Sequence, residues 1–263
     1  MKKFLCFFGA FSMTLISSCS DDNDNASEKK ETSILPKTLK YTYPDNPDDS
    51  SITTFTYNGN KMVSAENEYT RTVFTYEGNV IVKKIQYDMS GDKISEESYS
   101  YNGGKLASSL YARNFTAKYP FGEYKGRYAY VYNPNGTIKK EGYITNATTG
   151  VESSSYYDIL TFQNGNLVQL EAIDLVSTLS TIYTKKYEYD VKNNPFKNVL
   201  GLSLLLEEDG VSLNNLVKNT SNYGSDSVIY KATYEYNLDG YAAKKTEYSQ
   251  GGTTVSRITE YTY

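Results

Sequence analysis

The sequence predicts an all-β protein, a long antiparallel meander of hairpins curled into an open or closed barrel-like sheet. Three observations lead there. A unit recurs along the chain: aromatic-x-aromatic, a polar turn containing glycine, then an aliphatic residue. It is seen at Phe55 to Val63, Phe74 to Val82, Tyr99 to Leu106, Tyr130 to Ile138, Leu160 to Leu167 and Tyr234 to Ala242, with Tyr187 to Asp190 as a variant. The composition holds 28 tyrosines, no tryptophan and only 6 prolines, which suits pleated strands and not a disordered chain. The length of 263 residues is ordinary for one large β domain.

The elements follow in chain order. Met1-Lys2-Lys3 is a basic start, and Phe4 to Ser18 is a mostly apolar run. That run is too short for a membrane-spanning helix, which needs about 20 residues, but suits a secretory signal core. Its end, Leu15-Ile16-Ser17-Ser18-Cys19, resembles the lipobox of bacterial lipoproteins. The resemblance implies cleavage before Cys19 and acyl chains on that cysteine. Residues 1–18 are therefore expected to be a lipoprotein signal peptide, Cys19 the lipid attachment, and the membrane a partner through the N-terminal acyl chains. Cys6 leaves with the signal, so no disulfide or free thiol is expected in the mature chain.

Residues 19–36 begin Cys19-Ser20-Asp21-Asp22-Asn23-Asp24 and contain no aromatic residue. Such a polar stretch cannot bury enough apolar surface to fold and reads as a disordered acidic tether. Acidic residues directly after the acylated cysteine resemble the export tag of surface-displayed lipoproteins. The expected location is the outer membrane, lipid-anchored and surface-exposed. Removing residues 1–18 takes Lys2 and Lys3 from the 27 basic residues and leaves all 31 acidic ones, so neither nucleic acid nor anionic lipid is favoured electrostatically.

Residues 37–263 are expected to be a single β-repeat domain. Aromatics two apart share one face of a strand. Asn58-Gly59, Glu77-Gly78 and Asn102-Gly103 read as two-residue hairpin loops. That register sets Phe55 against Met62, Phe74 against Ile81 and Tyr99 against Leu106, and a three-residue loop at Pro134 to Gly136 sets Tyr132 against Ile138. Tyr57, Tyr76, Tyr101 and Tyr132 then point to one face. Two strands per unit make about 12 to 16 strands, too many for a flat sheet. Within residues 195–222 the run Val199 to Leu206 breaks the aromatic alternation. It reads as a short helix or loop packed on the aromatic face as a plug.

These units look like the tyrosine-aspartate repeats of Rhs and teneurin shells. Tyr187-Glu-Tyr-Asp-Val-Lys-Asn-Asn-Pro-Phe196 and Tyr234-Glu-Tyr-Asn-Leu-Asp-Gly-Tyr241 resemble more closely a family of secreted bacterial lipoproteins, a domain of unknown function with a porin-like fold. The resemblance implies an architecture and no catalytic residues.

The absence of histidine removes Ser-His-Asp and Cys-His nucleophile systems and His-ligated metals. No cofactor, metal site or enzymatic activity is expected. Paired carboxylates are the one remaining catalytic chemistry, with Glu66, Glu68, Glu96, Glu97, Glu207 and Glu208 as candidates for a glycoside hydrolase. An outer-membrane pore is the other alternative, against which the strands look short. The reading adopted is a non-catalytic surface lipoprotein with a glycan or surface protein as partner. Ligand contact is expected at Tyr119, Tyr124 and Tyr128, in an outer loop spanning residues 112–128, not in a deep pocket.

Overall fold

A computed structural model describes residues 33–146, 148–154, 156–176, 180–206 and 212–263. Its strands begin with β1 (Thr38–Thr42), β2 (Ser51–Asn58), β3 (Lys61–Glu66), β4 (Thr70–Glu77), β5 (Val80–Asp88) and β6 (Lys93–Asn102). They continue with β7 (Lys105–Arg113), β8 (Tyr124–Tyr132), β9 (Ile138–Thr145), β10 (Glu152–Ser153), β11 (Tyr156–Gln163) and β12 (Asn166–Asp174). The last are β13 (Thr181–Asn193), β14 (Asn214–Tyr223), β15 (Asp226–Tyr236), β16 (Ala242–Tyr248) and β17 (Val255–Thr262). Successive strands of the ring pair antiparallel, and β1 pairs with both β2 and β17, so the sheet closes on itself. The ring has 16 strands. β10 stands outside it, pairing with Thr145 and Ile144 at the end of β9, while β11 carries the ring onward. The expected hairpin meander is present, and the sheet is a closed barrel, so among the described residues every strand of the ring is paired on both sides.

The hairpin register differs from expectation in a consistent way. Tyr57 faces Met62, Tyr76 faces Ile81 and Tyr101 faces Leu106. The loops are Gly59-Asn60, Gly78-Asn79 and Gly103-Gly104, one residue later than expected. Gly59 and Gly78 carry φ of 59° and 54° at the first loop position, as a type II′ turn requires. Moving a loop by one residue moves the partner of each second aromatic by two, which preserves the inward face. This is why Tyr57, Tyr76, Tyr101 and Tyr132 all point inward although three of their partners differ. Beyond the bulge Phe55, Phe74 and Tyr99 stand opposite Ala65, Lys84 and Ser109 and not the expected Met62, Ile81 and Leu106. Tyr132 does face Ile138. A register shift falls directly before the second aromatic of most units, at Thr56/Tyr57, Thr75/Tyr76, Ser100/Tyr101 and Thr161/Phe162.

These bulges explain the tyrosines. Between β5 and β6 the backbone ladder stops at Lys83 and Ser98, and the Tyr101 hydroxyl donates to the Ile81 carbonyl beyond its end at 2.7 Å. Between β3 and β4 the ladder stops at Ser64, and the Met62 N–H donates to the Tyr76 hydroxyl at 3.1 Å. Between β12 and β13 it stops at Gln169, and Tyr189 donates to the Leu167 carbonyl at 2.8 Å. Tyr234 and Tyr263 do the same to Leu216 and Ala242, and Tyr57 to Pro36. The exception fits the rule. β9 and β11 stay paired down to Ile138 and Leu160, and there the unit carries Phe162, which has no hydroxyl to place. The tyrosines are hydrogen-bonding staples that replace missing ladder bonds at one end of the barrel, and burial raises the pKa of Tyr57, Tyr76 and Tyr101.

A ring of 16 strands is wide enough to hold a channel. Here that end is filled instead. Residues 194–206, after β13, cross it, with a 3-10 helix at Leu202–Leu205. Leu200 N–H reaches the Asn60 carbonyl, Leu213 N–H the Gly165 carbonyl, and the Asn198 amide the Ile34 carbonyl and the Tyr241 hydroxyl. Leu205 joins a core of Ile81, Tyr99, Leu106, Tyr130, Ile138, Leu160 and Leu167. The leucine run is thus the expected plug, but it ends sooner, because Asn214–Tyr223 is strand. That strand lacks the aromatic cue, since Asn219 and Ser221 take its inward positions opposite Tyr187 and Lys185. The last residues assigned to the tether also belong to the barrel, with Pro36 buried and its carbonyl held by Tyr57. Cys19 lies outside the described residues.

Candidate binding cavity

The interior is not fully packed. Above the plug lies a cavity of about 530 Å³, within the range of small-molecule sites. Its floor, toward the plug, is apolar and made by Leu160, Leu167, Leu170 and Leu206. Its walls carry Tyr111, Tyr128 and Tyr187 with Arg113, Lys140, Lys185 and Glu97.

Local sequence sets these positions. Tyr111 stands opposite Gly126 in the β7–β8 ladder, and Tyr128 opposite Gly142 in β8–β9. A Cβ on Gly126 would collide with the Tyr111 hydroxyl and the Tyr143 carbonyl oxygen, and one on Gly142 would come within 3.0 Å of the Tyr128 ring. Each glycine is a bed on which the neighbouring tyrosine lies flat, and the Tyr111 and Tyr128 rings sit 5.7 Å apart. The expected loop at 112–128 is corrected accordingly. β7 reaches Arg113 and β8 starts at Tyr124, because Gly126 serves close approach within a strand and does not break it.

The interior lysines come from four Lys-Lys pairs within strands, and Arg113 adds a further cation. Adjacent strand residues face opposite sides. Lys84, Lys140, Lys185 and Lys245 therefore turn inward while Lys83, Lys139, Lys186 and Lys244 turn outward. Lys84 pairs with Glu97 at 3.1 Å, and Glu97 also accepts from the Tyr99 hydroxyl at 2.6 Å. Lys140 lies 4.3 Å from the centre of the Tyr128 ring, Lys185 5.6 Å from that of Tyr183, and the Arg113 guanidinium 5.7 Å from that of Tyr111. Asp158 stands opposite Lys140 in the ladder. It is buried, and its Oδ1 has no hydrogen-bond partner among the described residues. Burial raises its pKa, against the pull of Lys140 and Lys185. The doubled lysines were the signal that could have located this site, since one of each pair must enter the barrel.

The sequence-predicted contacts fall in three places. Tyr119 lies in the loop between β7 and β8, Tyr124 is exposed at the start of β8, and Tyr128 is inside the cavity. The structure therefore does not gather them on one loop surface. Of the candidate carboxylates, Glu66 and Glu96 are on the outer wall, ion-paired with Arg71 and with Lys83 and Lys93. Glu68 is exposed, Glu97 is inside, and Glu207 and Glu208 lie outside the described residues.

The outer wall is charged around the ring. Lys40 pairs with Glu260 across β1–β17, Glu188 with Lys218 across β13–β14, and Glu235 with Lys244 across β15–β16. Lys139 pairs with Glu141, and Arg127 with Glu152. Outward apolar residues such as Leu110 and Val131 stand opposite Arg127 and Lys139.

With this geometry in hand, the chain can be set beside known proteins. No family model matches it, and no curated protein matches it. Among solved structures it is similar to a porin-like protein from Bacteroides vulgatus, at a TM-score of 0.60 and 12% identity, over 88% of this chain and 99% of that one. It is also similar to a porin-like protein from Bacteroides uniformis, at a TM-score of 0.51 and 10% identity, over 86% and 97%. The fold is porin-like. Expected strand length does not separate this chain from a pore, since β6, β13 and β15 have 10, 13 and 11 residues.

Proposed function

We propose that this chain is a non-catalytic, lipid-anchored protein of the outer-membrane surface whose barrel stands in water and binds a ligand at its interior. The charged outer wall carries this reading. A lysine facing lipid near the bilayer midplane costs about 2–4 kcal/mol, and a lipid-spanning barrel shows an apolar band. Lys40, Lys83, Lys139, Lys218 and Lys244 all stand on the outside in ion pairs. Several such penalties together would exceed a typical folding free energy of roughly 5–15 kcal/mol. The membrane connection then falls to Cys19, whose lipobox supports it, and the ligand class to a glycan or surface protein presenting a group small enough for the cavity.

The porin-like neighbours favour a second reading, a pore. Against it stand the plug at one end and the charge on the wall. A carboxylate hydrolase finds less support, because Glu97 is held by Lys84 and Tyr99. Phase partitioning in a detergent that clouds on warming tests the proposal. Wild-type protein should enter the detergent phase and be digested by protease added to intact cells, and Cys19→Ala should move to the aqueous phase. Retention of Cys19→Ala in the detergent phase, or protection of wild type in intact cells, would refute it.

A further inference from the structure

We infer that the cavity above the plug is a binding site for a compact organic anion, an acidic group carried on an apolar or ring-shaped body. The inference rests on the proposal above and names the ligand chemistry of its interior. The walls supply an excess of positive charge. Arg113, Lys140 and Lys185 line the cavity with one carboxylate, Glu97, which is matched by Lys84 at 3.1 Å, and Asp158 stands opposite Lys140 in the ladder. Among the described residues Arg113 and Lys185 make no ion pair with a carboxylate. Lys185 is partly buried and Arg113 exposed, and cations that converge on one cavity without a carboxylate partner attract an anionic group between them.

The rest of the lining sets the body of the ligand. The Tyr111 and Tyr128 rings offer faces 5.7 Å apart, the Leu160, Leu170 and Leu206 floor is apolar, and the space is about 530 Å³. A long acyl chain would meet the plug, whereas one to three fused or linked rings fit above it.

Two probes of nearly identical shape test this. Anilinonaphthalenesulfonate is anionic, and N-phenylnaphthylamine is the same body without the sulfonate. The barrel closes through β1 and β17 and contains every core residue, so protein starting at Ser20 is a folded unit free of lipid. Fluorescence titration is expected to show one anion bound per chain, at least about tenfold tighter than the neutral probe. Arg113→Met with Lys185→Met should abolish that difference and leave the neutral probe unchanged, while Lys185→Arg keeps it. Leu170→Trp should fill the floor and exclude both probes. Near-ultraviolet circular dichroism of each variant confirms its fold. Equal affinity for the two probes, no binding of either, or an unchanged preference in a folded double variant would overturn the inference. Surface anchoring is read separately by phase partitioning, so its survival alongside any of these results would leave the proposed function standing and remove only the ligand class.

Discussion

Replacing Tyr101 by Phe removes one atom, the hydroxyl that donates to the Ile81 carbonyl at 2.7 Å, and keeps the ring that packs on the core. Ile81 is fully buried, and the β5–β6 ladder has already ended at Lys83, so water cannot easily take the tyrosine's place. A net hydrogen bond contributes about 0.5–1.5 kcal/mol, and a buried group left unsatisfied costs about 1–3 kcal/mol. The loss should therefore be about 1–2 kcal/mol, a fall in Tm of roughly 2–8 °C for a domain of this size. Phe162→Tyr is the converse, because β9 and β11 remain paired to Ile138 and Leu160 and leave no free backbone group. It should bring no gain. Urea unfolding followed by circular dichroism gives both values, with an unchanged m-value showing that only stability moved. A Tyr101→Phe variant within about 0.3 kcal/mol of wild type, or a stabilising Phe162→Tyr, would show that the hydroxyls are not staples.

Gly201→Ala should loosen the plug. Gly201 has φ of 77°, and a Cβ there would come within 2.9 Å of the Asn79 carbonyl oxygen, so a loss of about 1–3 kcal/mol is expected by thermal melting. The staples also predict an alkaline weakness. Burial pushes Tyr101 up to about 12, with Tyr132 and Tyr76 adding to it, and burial raises Tyr57, Tyr76 and Tyr132 as well. The unfolded chain releases these protons near pH 10 and the folded chain holds them longer, so stability is fully present below pH 10 and falls as pH rises through the folded values. Tyrosinate absorbance and circular dichroism should change together above pH 10; full tyrosine ionisation in a still-folded barrel would contradict this.

The repeat units made strands, turns and the inward face legible, because aromatic-x-aromatic has only one parity. Register was not legible. Asn58-Gly59 suits one turn type and Gly59-Asn60 another, and the chain uses the second because glycine accepts the positive φ at the first position. Gly126 was misleading for a related reason, since in sequence a glycine that ends a strand looks like one that makes room for a ring. The cavity stayed hidden because an inward lysine in a polar pattern resembles an outward one. Only the neighbouring lysine in each pair betrays it. The 214–223 strand was missed where Asn219 and Ser221 replace the usual inward aromatics.

The position of the barrel relative to the bilayer can be measured with spin labels. Single cysteines placed at Lys40, Lys83, Lys139, Lys218 and Lys244, in protein anchored to liposomes through Cys19, would be tested for collision with oxygen, which enriches in lipid, and with a water-soluble nickel chelate. All five outer-wall positions should favour the chelate and none the oxygen. A continuous belt of labels accessible to oxygen and shielded from the chelate would put the barrel in the membrane and contradict a surface protein standing in water.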